Sequence, residues 1–250
     1  MLTTRFLVVP LLAGLLFAAP GFAQETDDAV ENLTYLTDEF RPMSFTVNGK
    51  PAGLAVGLLK LLWKEMGVSE QPIQVMPWPR VYDTAQLDPH IMIFSMYRTA
   101  EREKAFKWVG PIVQGRLAVF SLRSRHLRPN ALKDLRGLRI ASLRDIAAAS
   151  KMIRAGFAPT YASNPSHAVQ LLLSDRVDAL ALDELRFSTA LATMNMPPDA
   201  FEIVFVLSEE SLCYAFSPDT SDTLVARFQK ALDAVVKKPD YRKLRAQFLN

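Results

Sequence analysis

Residues 95–111 read SMYRTAEREKAFKWVGP and hold the side chains best suited to gripping a small anion. An arginine guanidinium takes a carboxylate through two parallel charge-assisted hydrogen bonds, each contributing about 1.5–3 kcal/mol. Arg102 is the candidate for that task, with the hydroxyls of Ser95, Tyr97 and Thr99 a few residues upstream. The apolar run Ile91-Met92-Ile93-Phe94 before them has the length of a buried strand. Thr99, with Glu101 two residues on, suits a helix start that puts Arg102 in the first turn. A strand ending in hydroxyls, with an arginine shortly after it, is where an open α/β sheet offers groups to a ligand. The plainer alternative is a solvated turn, its ion pairs contributing about 0–1 kcal/mol.

The elements that must position this stretch alternate. Residues 32–36 read as a first strand, and Asn48-Gly49 marks a tight turn. Residues 53–66 carry Leu54, Leu58, Leu61 and Leu62 at helical spacing and stop at Gly67. A strand at 73–76 and a short helix at 81–87 precede the strand at Ile91, an order that predicts a parallel α/β sheet. Residues 115–121 form a strand leading out of this unit, and 123–135 are a polar connection in which Arg123, Arg125 and Arg128 read as solvated. The rhythm then restarts with a strand at 138–141, a helix at 145–155 and a short strand at 159–161. Ser163-Asn164-Pro165 caps a helix over 166–173, followed by a buried strand at 177–182 and a helix at 185–194. Two more strands, 201–207 and 212–216, and helices at 221–236 and from Pro239 close the chain. Two βα units joined by extended crossings predict two lobes with a cleft between them, a favoured place for small ligands.

The sequence also resembles a family. SMYRTAERE followed by FKWVGP is similar to the T-x-x-R…F-x-x-x-x-P signature of the family 3 extracellular solute-binding proteins, the periplasmic receptors of amino-acid ABC importers. TDEFRPMSF with NGKPAGLAVGLL is similar to that family's opening motif, and residues 175–184 (DRVDALALDE) resemble its second-lobe strand. The resemblance implies a two-lobed type II binding-protein fold, each lobe a mostly parallel sheet flanked by helices, with two hinge crossings. It places residues 31–116 plus 213–250 in lobe 1 and 117–212 in lobe 2. It makes Arg102 the clamp for a ligand carboxylate, Asp183 the acceptor of its ammonium and Phe40 a stacking platform, with Ser95, Tyr97, Trp78 and Arg80 lining the cleft. For Phe40 an ordinary loop aromatic packed on the sheet stays open, and for Asp183 a cap on the following helix. Ala55 and Gly57 stand where the family usually has acids, which bears on stability more than binding. Tyr97, and Arg144-Asp145-Ile146, stand where a hydroxyl residue is usual, so the ligand need not be a standard amino acid.

Composition and address agree with an exported receptor. Half of the 250 residues are hydrophobic and 22% charged, an ordinary globular balance, and the net charge of +3 comes without a basic run interleaved with aromatics, so no nucleic-acid partner is indicated. Arg5, the apolar run 6–18 and Gly21-Phe22-Ala23 form a secretory signal over residues 1–23, with no lipoprotein cysteine. Cys213 stands alone, so it reads as a small buried hydrophobe. His90, His126 and His167 lack metal-ligand spacing, and neither a P-loop, a dinucleotide glycine pattern nor G-x-S-x-G is present. The expectation is a monomeric periplasmic receptor without cofactor or metal, partnered by the membrane permease of an ABC importer. A cyclohexadienyl dehydratase-like enzyme on the same fold is the alternative; its acid or base would come from Asp183, Glu184, Asp145 or Glu39.

Overall fold

A computed structural model describes residues 29–249, so the signal segment expected at 1–23 lies outside the described residues. The first βα unit comprises β1 (Thr34–Thr37), the hairpin β2 (Phe45–Val47) and β3 (Lys50–Ala52), α1 (Leu54–Glu65), β4 (Ile73–Val75), α2 (Trp78–Leu87) and β5 (Ile91–Arg98). The Asn48-Gly49 turn joins the hairpin with both residues at positive φ, as a two-residue turn of the favoured hand requires. β6 (Lys107–Leu122) then leads into β7 (Ile140–Leu143), α3 (Ala147–Arg154), β8 (Thr160–Ala162), α4 (Pro165–Leu173), β9 (Ala179–Asp183) and α5 (Glu184–Thr193). β10 (Phe201–Phe216), α6 (Asp222–Val235) and α7 (Pro239–Phe248) complete the order.

The strands run β4-β1-β5-β10-β6-β9-β7-β8. β4, β1 and β5 are mutually parallel, as are β9, β7 and β8. Between these groups β6 and β10 are antiparallel strands of 16 residues each, paired over nearly their whole length. The fold is therefore a two-lobed α/β architecture with two crossings, as the sequence implied. The hydrogen-bond ladder runs unbroken through them, where separate sheets and two distinct strands over 201–216 were expected. The polar run Ser208-Glu209-Glu210-Ser211 imitates a loop, yet it is the middle of one strand, paired with β6 alone up to Glu210 and with β5 as well from Ser211.

Packing explains the two departures from the family pattern. Ala55 is fully buried at the start of α1, where its carbonyl accepts from the Tyr214 hydroxyl at 2.9 Å. A side chain grown on Gly57 would meet Leu244 of α7 within 2.5 Å, so this glycine seats the last helix on α1. An acid at position 55 would be buried, at a cost of several kcal/mol unless it found a partner. Two other expectations are corrected. Residues 99–106 form successive turns rather than a helix, because β5 extends to Arg98, β6 starts at Lys107, and Arg98 folds back to grip Glu103 through bonds of 2.7 and 2.6 Å. The expectation of solvated arginines over 123–128 holds for Arg123 and Arg128 and is corrected for Arg125, which is largely covered. All three are also bonded, Arg125 to Asp175 and Asp178, Arg128 to Glu202, and Arg123 to the carbonyls of Asp199 and Phe201.

Candidate functional site

β1 ends at Thr37 beside Phe94 of the parallel strand β5, which brings Thr37 close to Ser95 on one side of the site. Thr37 donates to Ser44 Oγ at 2.9 Å, and Ser44 donates to Ser95 Oγ at 3.1 Å, a buried relay of three hydroxyls. Ser95 has φ 62°, a conformation that costs a non-glycine residue about 1–2 kcal/mol and turns its hydroxyl toward a small cavity. Arg102 enters the same cavity from the turn after β5 and is 5% exposed, so the solvated-turn alternative is excluded. Its Nη2 donates to the carbonyl of Asp145 at 2.8 Å and its Nη1 to that of Tyr97 at 3.3 Å. The guanidinium lies 4.9 Å from the Tyr82 ring centroid and 5.5 Å from that of Trp78. Burial lowers its pKa from the usual arginine value.

The facing wall comes from β7–α3 and from β9–α5. Asp145, also at positive φ, turns its carbonyl to Arg102 and to the Trp78 indole N–H, which donates at 2.9 Å. Residues 146–149 open α3 without a side-chain cap, so the first amides of that helix begin beside the cavity. Asp183 ends β9, 1% exposed, and caps α5 by accepting from the Arg186 amide at 2.9 Å. The helix-cap alternative for Asp183 is thus what the backbone uses.

Arg186, absent from the residues singled out in the sequence, occupies the centre of the site. It is 7% exposed, donates to Asp183 Oδ2 at 3.0 Å and to Asp38 Oδ2 at 2.8 Å, and stacks 3.5 Å from the Phe40 ring centroid. Phe40, 1% exposed, is therefore a platform, and what lies on it is this guanidinium. The two carboxylates raise the Arg186 pKa above the usual value against the opposing effect of burial. Asp38 is pushed up by burial in spite of Arg186, and its Oδ1 makes no hydrogen bond among the described residues. The Tyr97 hydroxyl is likewise buried without a hydrogen bond of ordinary geometry, and burial with the nearby Asp183 charge keeps it protonated. Gly115 of β6 makes room for that ring: a Cβ there would stand 2.4 Å from the Tyr97 hydroxyl.

Arg102, Ser95, Tyr97 and Trp78 thus converge with Arg186 on a cavity of about 10 Å³, and Trp78 and Arg186 also border an adjoining one of about 800 Å³. Phe40 and Asp183 meet the same site through Arg186. Arg80 is exposed on α2 and borders neither cavity. The sequence did hold a signal for Arg186, which stands three residues after Asp183 and so reaches it over one helical turn. Asp38, directly after β1, stands where an open sheet presents its ligand groups. Among the described residues no group of three or more His, Cys, Asp or Glu is placed to hold a metal ion, and no helix is long and apolar enough to cross a membrane.

A model of the bacterial extracellular solute-binding proteins, family 3, matches residues 33–250. No curated protein matches the sequence. Among solved structures, a histidine kinase sensor domain with similarity to periplasmic binding proteins aligns with TM-score 0.75 and 20% identity, covering 87% of this chain and 96% of that one. The arginine-, lysine-, histidine-binding protein ArtJ from the thermophilic bacterium Geobacillus stearothermophilus aligns with TM-score 0.72 and 18% identity, over 87% of this chain and 95% of its own. An ancestral amino acid-binding protein, a precursor of cyclohexadienyl dehydratase, gives 0.70 and 21% over 87% and 95%. At these identities the likeness is one of fold.

Proposed function

We propose a function from one premise: the chain belongs to the bacterial extracellular solute-binding proteins, family 3. It is a periplasmic receptor that captures a small polar ligand by its carboxylate between two lobes and delivers it to the permease of an ABC importer. Lobe 1 comprises residues 31–116 and 213–250, and lobe 2 residues 117–212. Both boundaries fall inside the paired crossing strands, where Arg116 stands opposite Glu209. The observation that carries the reading is Arg102, a cation buried beside a small cavity, bonded to two carbonyls and set against aromatic rings, with no carboxylate hydrogen-bonded to it among the described residues. A buried charge of this kind calls for an anion. Trp78, Ser95 and Tyr97 border the cavity, and Asp183 meets it from lobe 2 through Arg186.

A thermal-shift screen of amino acids and related carboxylates tests the proposal. A ligand at about 100 times its Kd stabilises the fold by roughly 2.7 kcal/mol, which raises Tm by about 5–10 °C in a chain of this size. Arg102→Ala removes about 3 kcal/mol of charge-assisted bonding, so affinity for the hit falls about 100-fold. Unchanged affinity overturns the assigned clamp.

The dehydratase alternative now centres on Asp38, a buried carboxyl with a raised pKa. Burial and an upward shift are the mark of a general acid, but structural ion pairs share them, and Asp38 is bonded to Arg186. Incubation with prephenate or arogenate is expected to give no aromatic product. Turnover abolished by Asp38→Asn overturns the receptor reading.

A further inference from the structure

We propose that Arg186 takes the place of a ligand's ammonium group, so that this site selects small carboxylates carrying no α-ammonium. The inference rests on the receptor reading above and deepens it. A ligand ammonium in such a site needs a carboxylate acceptor and a place beside the aromatic platform. Both are in use. Asp183 accepts the Arg186 backbone amide with Oδ1 at 2.9 Å and its guanidinium with Oδ2 at 3.0 Å, and is 1% exposed. The Phe40 face carries the same guanidinium at 3.5 Å. Of the remaining acceptors, Oδ1 of Asp38 is buried without a hydrogen bond among the described residues, on a carboxylate whose Oδ2 already holds Arg186 at 2.8 Å, and Glu39, beside the larger cavity, accepts from the Thr46 amide at 3.0 Å.

What the small cavity offers instead is positive. Arg102 and Arg186 both border it, close enough that the Arg186 charge lowers the Arg102 pKa. Ser95 and the uncapped start of α3 border it as well. The cavity as it stands has room for about one water, so an anion enters it only as the walls part. Flanked there by two guanidiniums, it relieves their mutual repulsion, whereas an ammonium would add a third cation. Arg186 cannot simply swing away, because its departure leaves Asp38 and Asp183 as two buried carboxylates without a partner. The rest of the ligand extends past Trp78 and Ile146, which border both cavities, into the space of about 800 Å³.

Isothermal titration with matched pairs tests this: propionate and alanine, glutarate and glutamate, 3-phenylpropionate and phenylalanine. The native chain is expected to bind at least one ammonium-free member at least tenfold more tightly than its α-amino counterpart. The double variant Asp38→Asn/Arg186→Gln keeps the charge balance of the site and frees Asp183, so for that pair the preference reverses toward the amino acid. Circular dichroism establishes that the variant is folded, and Arg186→Lys, which keeps the charge, retains the native preference. An amino acid that binds the native chain as tightly as its deaminated partner overturns the inference and leaves the receptor standing. A double variant with unchanged preference also overturns it. No binding of either set to the native chain overturns the receptor reading and the inference together.

Discussion

Tyr97 shows what a single side chain contributes to a site poised for ligand. Its ring fits the gap left by Gly115, and its hydroxyl is buried with no ordinary hydrogen bond among the described residues. A buried hydroxyl left unpaired costs about 1–3 kcal/mol. Tyr97→Phe is therefore expected to stabilise the ligand-free protein by roughly 1 kcal/mol, raising Tm by about 2–4 °C in differential scanning calorimetry. The same variant is expected to bind the carboxylate found in the screen more weakly, because a protonated phenol held over the cavity is a donor for it. A fall in Tm would show that the hydroxyl is already satisfied within the fold. Arg102 and Phe40 were readable at this scale because an arginine or aromatic in a fixed motif announces itself. Arg186 left only its spacing from Asp183 as a signal, since a charged residue inside an amphipathic helix looks like part of its solvated face until β1 brings Asp38 against it.

At the scale of elements, periodicity located nearly every helix and strand, since apolar spacing is a local property. It failed where an element's limits are set by its partner. β10 read as two strands because Ser208-Glu209-Glu210-Ser211 is polar, and β6 read as starting near Gly115 because its first residues are only partly buried. Spacing also hid a charge cluster that ties Arg125 and the start of β7 to the start of β9. Asp178, just before β9, accepts from the Arg139 amide at 2.8 Å, from Arg139 Nη2 at 2.7 Å and from Arg125 Nη1 at 3.0 Å. These bonds lower its pKa to about 2, the Arg139 side chain being the leading cause. A carboxylate whose folded pKa lies below its unfolded value of about 3.9 binds fewer protons when folded. Its stabilising effect is complete above about pH 4 and is lost as pH falls toward 2. With allowance for solvent screening, Asp178→Asn is expected to cost about 1–2 kcal/mol at pH 7 and to flatten the decline in stability between pH 4 and 2. Urea titrations across that range measure both. Parallel curves for variant and native chain would remove Asp178 from the account.

For the whole molecule the question is how two lobes move when one ladder joins them. The crossing narrows to a two-stranded ribbon at Glu209-Glu210, and the register of β10 on β6 shifts between Val206 and Ser208 and again between Leu212 and Tyr214. Bulges of this kind bend and twist a strand locally, so they bracket a short hinge over residues 208–212. Bending there breaks no ladder bond, which is why a continuous sheet and a hinge are compatible. What opposes opening is the set of contacts across the cleft. Arg186 holds Asp38, Arg154 pairs with Glu101 at 2.5 Å, Thr189 donates to the Arg41 carbonyl, and Asp145 binds Arg102 and Trp78. Of these, the Arg186–Asp38 pair is the buried ion pair, and breaking such a pair by removing one partner costs about 3–5 kcal/mol. That cost falls on the closed state, because in the open one Arg186 keeps Asp183 and gains water. Asp38→Asn is therefore expected to shift the ligand-free protein toward the open form, seen as a larger radius of gyration by small-angle X-ray scattering. A saturating carboxylate ligand should restore the compact form, since it binds only where both walls meet. Scattering curves identical for native and variant chains would mean that another contact sets the closed state.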